Sequence, residues 1–216
     1  MADEVTSTYH EAHLVADPAR RIVWRAIARH LQSWIPAQAA VLEIGAGYCD
    51  WINSVRAHRR VAIDIWPDLP RCAAPGVEPI VLDMARDLGT LNAGTFDTVL
   101  ASNVFEHFAP DTVPIVVTGV ARMLKPGGRL LIVQPNFRHA WRAYFDDYTH
   151  RSVFTDVSLP ALLRAHGFSI DLVQSRFMPY SMRGSWVPIT NWLVTLYLKS
   201  PLKPMAGQML VVATKR

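Results

Sequence analysis

The stretch Ala40-Val41-Leu42-Glu43-Ile44-Gly45-Ala46-Gly47-Tyr48-Cys49-Asp50-Trp51 decides the fold. Its apolar start predicts a buried strand of a parallel sheet, and an acid and a Gly-x-Gly turn follow. Glycine has no Cβ, so this turn lets the backbone come close to a ligand. We predict that Asp50 caps a short helix over residues 51–57, whose N-terminal N–H groups would face an anionic ligand group. The stretch therefore predicts a nucleotide site.

The composition favours one α/β domain. The chain has 216 residues, 50% of them hydrophobic, a size that fits one domain with a modest extra cap. The formal net charge is +4 and the basic residues are scattered, which indicates a solvated surface and no nucleic-acid partner.

Cysteine usage and hydropathy bear on the cellular compartment. Cys49 and Cys72 lack the spacing of metal ligands, so we predict reduced thiols and no metal site. No apolar run reaches the ~18 residues that span a bilayer. The first seven residues are polar and acidic, unlike a signal peptide. We therefore expect a cytoplasmic protein.

Apolar runs alternate with helical segments along the chain. A helix is predicted between residues 10 and 34, starting at Asp17-Pro18 and packing on a sheet face or over the site. Further helices are predicted over 111–124 and 159–165. The predicted strands are 41–44, 60–65, 79–83, 96–103, 129–134, 168–173 and 208–213. This alternation argues for a mainly parallel sheet covered on both faces.

Polar residues stand at the carboxyl ends of four successive predicted strands: Glu43, Asp64, Asp83 and Ser102-Asn103. Ligands of open parallel sheets bind beyond these ends. Asp64 follows Glu43 by 21 positions, a spacing that suits an acid binding ribose hydroxyls. Asp50 stands where a dinucleotide site prefers a third glycine, and its charge would repel a pyrophosphate. An adenosine ligand with a compact zwitterionic tail therefore fits better than NAD.

Five stretches carry a family resemblance in their order along the chain: 41–47, 61–65, 82–84, 96–108 and 124–130. Together they resemble the class I S-adenosylmethionine-dependent methyltransferase family. The two predicted strands after residue 167 match that family's closing pair, in which the last strand runs antiparallel. The resemblance implies a Rossmann-like seven-stranded sheet, mostly parallel, with helices on both faces. Cys49 departs from the pattern, since many members have a third glycine there.

The resemblance implies which residues hold the methionine part of the cofactor. The backbone of Gly45-Ala46-Gly47 would line it, with Glu43 beneath. Ser102 and Asn103 would face the amino group and the sulfonium.

The adenosine part is assigned in the same way. Asp64 would bind the ribose hydroxyls, and Ile65 would pack on the adenine. Asp83 would accept a hydrogen bond from the adenine amine, with Met84 beside the ring.

The acceptor side carries the candidate catalytic residues. An alcohol or amine acceptor must lose a proton, and histidine is the best-suited base near neutral pH. His107 follows the 96–103 strand on the cofactor side, where a packing role and a catalytic role are both open. Residues 136–151 concentrate aromatics, acids and histidines, and Asp147 and His150 there predict an acid–histidine pair. The alternative for this segment is an aromatic plug on the sheet.

The domain prediction is a single methyltransferase domain over residues 1–216. Its parts are an N-terminal helical segment (1–36), a cofactor-binding half (40–135) and an acceptor-side half (136–216).

An insertion over residues 178–205 lies between the last two predicted strands and contains Trp186 and Trp192. We expect a cap over the acceptor pocket or a homodimer contact. The alternative is a peripheral membrane contact through residues 185–203, with aromatic and cationic side chains at the interface.

The predicted function is methyl transfer from S-adenosylmethionine, leaving S-adenosylhomocysteine, to a small-molecule or sugar-type acceptor at oxygen. Residues 136–151 resemble small-molecule and glycan-pathway members of the fold. A nucleic-acid methyltransferase is one alternative. It is disfavoured because Ser102-Asn103-Val104-Phe105 stands where base-amine methylating enzymes often carry Asp/Asn-Pro-Pro-Tyr/Phe. A non-catalytic S-adenosylmethionine-binding scaffold is the other, although it would not need the acids at the strand ends.

Overall fold

The structure is a computed structural model that describes residues 17–181 and 188–216. Residues 1–16 of the predicted N-terminal segment, and Trp186 of the insertion, lie outside the described residues. The helices and strands are, in chain order, α1 (Pro18–Leu31), β1 (Ala40–Ile44), β2 (Arg59–Asp64), α2 (Leu69–Cys72), β3 (Val77–Val81), α3 (Met84–Asp87), β4 (Phe96–Ser102), α4 (Thr112–Met123), β5 (Leu124–Pro135), α5 (Phe137–Ala140), α6 (Ser158–Ala165), β6 (Phe168–Pro179), α7 (Asn191–Lys199) and β7 (Ala206–Lys215).

The seven strands form one sheet in the order β3-β2-β1-β4-β5-β7-β6. β1 pairs in parallel with β2 and β4, while β7 runs antiparallel to both β5 and β6. This topology confirms the predicted mostly parallel sheet with an antiparallel last strand. The strand order reverses between β1 and β4, and ligands of such sheets bind at this switch point.

Two apolar layers cover the sheet, one on each face. Successive side chains of a strand point to opposite faces, and β1 follows this rule. Val41 packs in a cluster with Ile27 of α1, while Leu42 packs in the opposite cluster with Val116 of α4. The near-continuous burial of β1 follows from this double coverage.

The first helix begins as its sequence predicts. The Asp17 side chain accepts a hydrogen bond of 2.8 Å from the N–H of Ala19, and Pro18 occupies the first turn. Ala26, Ile27 and Leu31 of α1 are buried against the sheet, which confirms the predicted packing on one face. Within the described residues, no helix has the length and apolar character needed to cross a membrane.

One predicted helix is absent, and the bounds of several predicted strands differ from the structure. Residues 51–55 form consecutive turns and no helix, because their N–H groups bond locally and to the Glu43 carboxylate. β5 begins at Leu124, since Leu124 already pairs with Phe96 before the predicted Gly-Gly stop. β6 continues to Pro179, where it pairs with Ala206 at the start of β7, so the sheet takes in the first residues of the predicted insertion.

Candidate functional site

The turn after β1 requires glycine at Gly45. Its φ is +66°, and a Cβ there would lie 2.4 Å from Cγ2 of Val104. Gly47 also has a positive φ, of +48°. A side chain at Gly45 would displace the loop after β4. The backbone of the turn thus packs directly against the Val104 side chain of that loop. The side chain of Val104 therefore leaves no room for any residue but glycine at this position of the switch point.

Cys49 shows what the missing third glycine of the turn changes. Its φ is +58°, in the left-handed region, and its side chain is fully buried. This conformation costs a non-glycine residue about 1–2 kcal/mol. The turn therefore keeps the backbone conformation of a glycine-rich loop with a cysteine in the strained place.

Asp64 joins the glycine turn to the end of β2. Its carboxylate accepts hydrogen bonds from the N–H of Gly47, at 2.7 Å, and from the N–H of Trp66, at 3.0 Å. The side chain is 6% exposed, so these bonds are well shielded from water. The predicted ribose-binding acid and the predicted methionine-binding turn are therefore in direct contact.

Glu43 lies beneath the same turn. It is 4% exposed, and one carboxylate oxygen accepts a hydrogen bond of 3.0 Å from the N–H of Ile52. Burial raises the pKa of Glu43 to about 8, because the desolvation of the charged form outweighs the backbone hydrogen bond. At neutral pH the acid beneath the turn is thus mainly uncharged.

Asp50 has a different partner from the one predicted. No helix follows it, and its carboxylate forms an ion pair with Arg20 of α1, 2.8 Å from Nε. The Arg20 guanidinium also lies 5.9 Å from the centroid of the Tyr48 ring. The first turn of α1 therefore reaches over the glycine turn, and Arg20 and Tyr48 are site residues that the sequence did not identify.

The end of β3 places the predicted adenine residues beside the ribose acid. The N–H of Leu82 donates to the carbonyl oxygen of Asp64 at 2.9 Å. Asp83 lies beyond the strand and caps α3 by accepting from the N–H of Ala85 at 2.8 Å. Met84 begins α3, and Ile65 is 42% exposed, so an apolar side chain faces outward at this edge.

Ser102 and Asn103 close the switch point on the other side. Asn103 has a φ of +50°, and its side-chain amide donates to Ser102 Oγ at 3.3 Å. Its Oδ1 accepts from the side chain of Gln208 on β7 at 3.3 Å. Gln208 is a further residue that motif matching did not find, because it comes from the opposite end of the chain.

The acceptor side is built on a tether between two segments. The carbonyl oxygen of Glu106 accepts hydrogen bonds from the N–H groups of Arg151 and Ser152, at 2.8 and 3.0 Å. This tether holds residues 144–152 against the loop after β4. It brings His150 next to His107, with ring centroids 4.9 Å apart.

Hydrogen bonds fix the tautomers of the two histidines. Nδ1 of His150 lies 2.6 Å from the carbonyl oxygen of Tyr144, which only accepts, so Nδ1 carries the proton. Thr149 Oγ1 donates to Asp147 at 2.6 Å and therefore accepts from Nδ1 of His107, at 2.8 Å. In its neutral form, each ring therefore carries its lone pair on Nε2. Burial also lowers the pKa of His150, which keeps the ring neutral at physiological pH.

Asp147 and His150 are close without being hydrogen-bonded. Oδ2 of Asp147 lies 3.9 Å from Nε2 of His150, whereas Oδ1 is bonded to Thr149. The carboxylate thus orients His107 through Thr149, and the Tyr144 carbonyl orients His150. The second histidine of the segment, His139, lies elsewhere, with Nε2 3.0 Å from Ser175 Oγ on β6.

Glu106 is a site residue that the sequence did not single out. It is fully buried, and neither carboxylate oxygen has a hydrogen-bond partner in the part of the chain that the structure describes. Burial raises its pKa to about 8. Burial also raises the pKa of Tyr180 to about 12, and the nearby charges of Asp147 and Glu106 add to this effect. Sequence reasoning missed Glu106 because nothing in the sequence shows that this side chain is buried beside His150.

The aromatics of residues 136–151 fall into a buried and an exposed group. Tyr144 is fully buried, with its ring 4.5 Å from that of His150 and its hydroxyl donating to the Ser152 carbonyl. Trp141, Phe145 and Tyr148 are exposed. Part of the segment is therefore a buried aromatic plug, as the alternative predicted, while the rest is exposed.

Within the insertion, α7 is anchored to α1. Val194 and Leu198 are buried in the cluster that also holds Ile27 and Leu31, while Trp192 and Leu196 are exposed. Lys203 is buried and donates to the carbonyl oxygens of Tyr197 and Leu198, at 2.6 and 2.8 Å. This lysine ends the helix and does not serve as a cation at a lipid surface.

Comparison with known proteins places the chain in a family. A family model described as a methyltransferase domain matches residues 15–173. A search of the curated proteins found no match.

Three solved structures illustrate the likeness. An S-adenosylmethionine-dependent methyltransferase of Archaeoglobus fulgidus is 17% identical with a TM-score of 0.70, over 96% of this chain and 98% of that one. One of Thermotoga maritima, described as a possible histamine N-methyltransferase, is 17% identical with a TM-score of 0.67, over 99% and 97%. The 1,6-didemethyltoxoflavin-N1-methyltransferase of Burkholderia thailandensis, solved with that compound and S-adenosylhomocysteine bound, is 21% identical with a TM-score of 0.64, over 99% and 86%. At these identities the likeness shows the fold alone.

Proposed function

The chain belongs to the methyltransferase domain family and is an S-adenosylmethionine-dependent methyltransferase, and on this premise we propose that it methylates a small-molecule or sugar-type acceptor at oxygen. The observation that carries the proposal is the histidine pair on the acceptor side. His107 and His150 both hold their lone pair on Nε2 at the carboxyl end of the sheet. A hydroxyl acceptor needs such a base, because its proton must leave as the new bond forms.

The reaction is an in-line displacement at the sulfonium methyl. The acceptor oxygen attacks the methyl carbon, the carbon–sulfur bond breaks, and its electron pair stays on the sulfur of S-adenosylhomocysteine. The acceptor proton passes to Nε2 of His150. Because the cofactor is already activated, orientation of the two substrates supplies much of the rate.

The cofactor contacts are assigned from the strand ends. The ribose hydroxyls would donate to Asp64, whose position is already fixed by the N–H groups of Gly47 and Trp66. The methionine part would lie along Gly45-Ala46-Gly47, above the neutral Glu43. Ser102 and Asn103 would face its amino group and sulfonium. Ile65, Asp83 and Met84 would surround the adenine.

The acceptor class rests on the surface around the histidine pair. Trp141, Phe145 and Tyr148 are exposed in the segment that carries His150, and such rings offer flat apolar faces with polar edges to a ring-shaped acceptor. The Burkholderia thailandensis neighbour was solved with 1,6-didemethyltoxoflavin bound, which supports a small-molecule acceptor. The mild net charge of +4 does not favour a nucleic acid.

The compartment and the assembly state are parts of the same proposal. Cys49 and Cys72 are both free thiols, which fits a reducing compartment such as the cytoplasm. Trp192 and Leu196 on α7 offer an apolar surface for a homodimer. Sedimentation of the Trp192→Ser/Leu196→Ser variant tests this: loss of a wild-type dimer supports the contact, and an unchanged state rejects it.

Transfer of a labelled methyl group tests the acceptor class. The protein would be incubated with S-adenosylmethionine labelled in its methyl group and with separate pools of sugars, hydroxylated aromatics, RNA and DNA. We expect base-resistant, ether-bound label in the first two pools only. Label confined to the nucleic acids would reject the proposal, as would label on nitrogen.

A further inference from the structure

We propose that Glu106, His107 and His150 bind a divalent transition-metal cation at the acceptor end of the site. A carboxylate oxygen of Glu106 and one ring nitrogen of each histidine all lie within 4.8 Å of one another. Metal–ligand bonds of about 2.0–2.2 Å bring the ligands of one cation somewhat closer together than this. Small rotations of the three side chains would therefore complete the site.

The burial of Glu106 is the independent observation that points to a cation. The side chain is fully buried, and both carboxylate oxygens lack a hydrogen-bond partner among the described residues. The charged form of a buried carboxyl group is expensive unless it is paired or coordinates a metal. Among the described residues, His107, His150, Asp147 and Tyr180 lie around it, and none of these side chains carries a permanent positive charge. A bound cation would provide the missing partner.

The two histidines are prepared as ligands by their hydrogen bonds. Metal-binding histidines usually donate their second ring N–H to a carbonyl or carboxylate, which fixes the ring and raises the basicity of the ligating nitrogen. His150 donates Nδ1–H to the Tyr144 carbonyl. His107 donates to Thr149, which in turn donates to Asp147. Nε2 is thereby the ligating atom of both rings.

The ligand types select the kind of cation. Two imidazoles and one carboxylate suit Zn²⁺, Mn²⁺, Fe²⁺ or Co²⁺, whereas Mg²⁺ and Ca²⁺ prefer oxygen ligands. Three protein ligands leave coordination positions open, as in catalytic metal sites. The sequence did not predict the site, because His107 and His150 are separated by 43 positions and neither lies in a recognisable metal motif.

The cation would change how the acceptor loses its proton, and this role rests on the proposed function. A hydroxyl oxygen bound to the cation becomes more acidic, as metal-bound water does. Its proton passes to solvent water, and the oxygen then attacks the sulfonium methyl while the electron pair of the carbon–sulfur bond goes to sulfur. In the cation-free protein, the proton passes to Nε2 of His150 as proposed above.

A Co²⁺ titration tests the binding directly. The full chain would first be dialysed against EDTA and then freed of chelator, and the visible absorption of Co²⁺ would report its coordination. We expect saturation at one equivalent in the wild type. Glu106→Gln and His150→Gln should each weaken binding at least tenfold, since the loss of one of three ligands removes a large part of the coordination. His58 is exposed and is not one of the proposed ligands, so the control variant His58→Gln should bind Co²⁺ as the wild type does.

Two outcomes would overturn the proposal. One is a wild type that shows no saturable Co²⁺ spectrum. The other is wild-type affinity in both ligand variants while each still binds S-adenosylhomocysteine and is therefore folded. The proposed function fails separately: a protein that binds Co²⁺ but never transfers a methyl group to hydroxyl acceptors keeps the metal site and loses the acceptor assignment. Full methyl transfer in the presence of EDTA would reject the catalytic role of the cation.

Discussion

The N–H of Gly47 donates a hydrogen bond of 2.7 Å to the carboxylate of Asp64. This bond fixes the glycine turn after β1 against the end of β2 before any ligand binds. The second oxygen of Asp64 is held by the N–H of Trp66. The acid is therefore positioned by its own backbone neighbours, with little freedom left to lose when a ribose binds.

Asp64→Asn should weaken S-adenosylhomocysteine binding about 10- to 100-fold, because charge-assisted hydrogen bonds to a buried carboxylate contribute about 1.5–3 kcal/mol. Isothermal titration measures the affinity. The control is Asp68→Asn, an exposed acid paired with Arg71, which should bind normally. An unchanged affinity in Asp64→Asn would contradict the ribose assignment.

Gly45→Ala should abolish cofactor binding or folding, because the new Cβ would lie 2.4 Å from Val104. Gly94→Ala is the matched control. Gly94 also has a positive φ, of +59°, but no atom lies within 4 Å of its added Cβ. The free energy of unfolding of this variant should fall by only about 1–2 kcal/mol, the cost of the strained backbone, and its affinity for the cofactor should stay the same. Equal losses of affinity in the two variants would show that steric contact with Val104 does not shape the turn.

Glu43→Gln should stabilise the cofactor-free protein increasingly as the pH rises. The pKa of Glu43 is raised from its ordinary 4.5 to about 8, so the wild type loses stability progressively between these two values. Glutamine keeps an oxygen for the Ile52 N–H and does not titrate. The difference in melting temperature should grow to about 8–16 °C at pH 8, for roughly 4 kcal/mol.

Glu78→Gln is the control for this titration. Glu78 is exposed and bonded to Arg59, which holds its pKa below the usual range, so its removal should give no gain that grows between pH 4.5 and 8. If Glu43→Gln and the wild type show parallel melting temperatures across this range, the burial penalty on Glu43 is absent.

In EDTA, where no cation is bound, His150→Gln should reduce kcat by about 10²- to 10⁴-fold and leave S-adenosylhomocysteine affinity unchanged, since it removes the group that takes the acceptor proton. His58→Gln should keep normal turnover. In the wild type, the acidic limb of the kcat profile should lie below pH 6.5, because burial lowers the pKa of His150. A limb above pH 6.5, or normal turnover in the variant, would exclude His150 from the reaction.

The cofactor half could be predicted from the sequence because its signals are local. Glu43, Gly45 and Asp64 each stand at the end of an apolar run, and parallel strands bring such ends to one edge. The prediction of a helix over residues 51–57 was wrong, because the N–H of Ile52 bonds to the Glu43 carboxylate and the segment forms turns instead.

The acceptor half was less predictable because its contacts are long-range. Nothing near His107 in the sequence indicates that the backbone of Arg151 will bond to Glu106 and bring His150 alongside. The Thr149 bridge between Asp147 and His107 likewise depends on how the segment folds back. Spacing predicted a direct Asp147–His150 pair, and the 3.9 Å separation shows that other groups orient the rings.

A crystal structure with S-adenosylhomocysteine bound tests the central claim most directly. We expect the ribose hydroxyls within hydrogen-bond distance of Asp64, the methionine part along Gly45-Ala46-Gly47, and the sulfur facing the space in front of His107 and His150. A cofactor whose ribose lies away from Asp64, or whose sulfur points away from the histidine pair, would contradict the account.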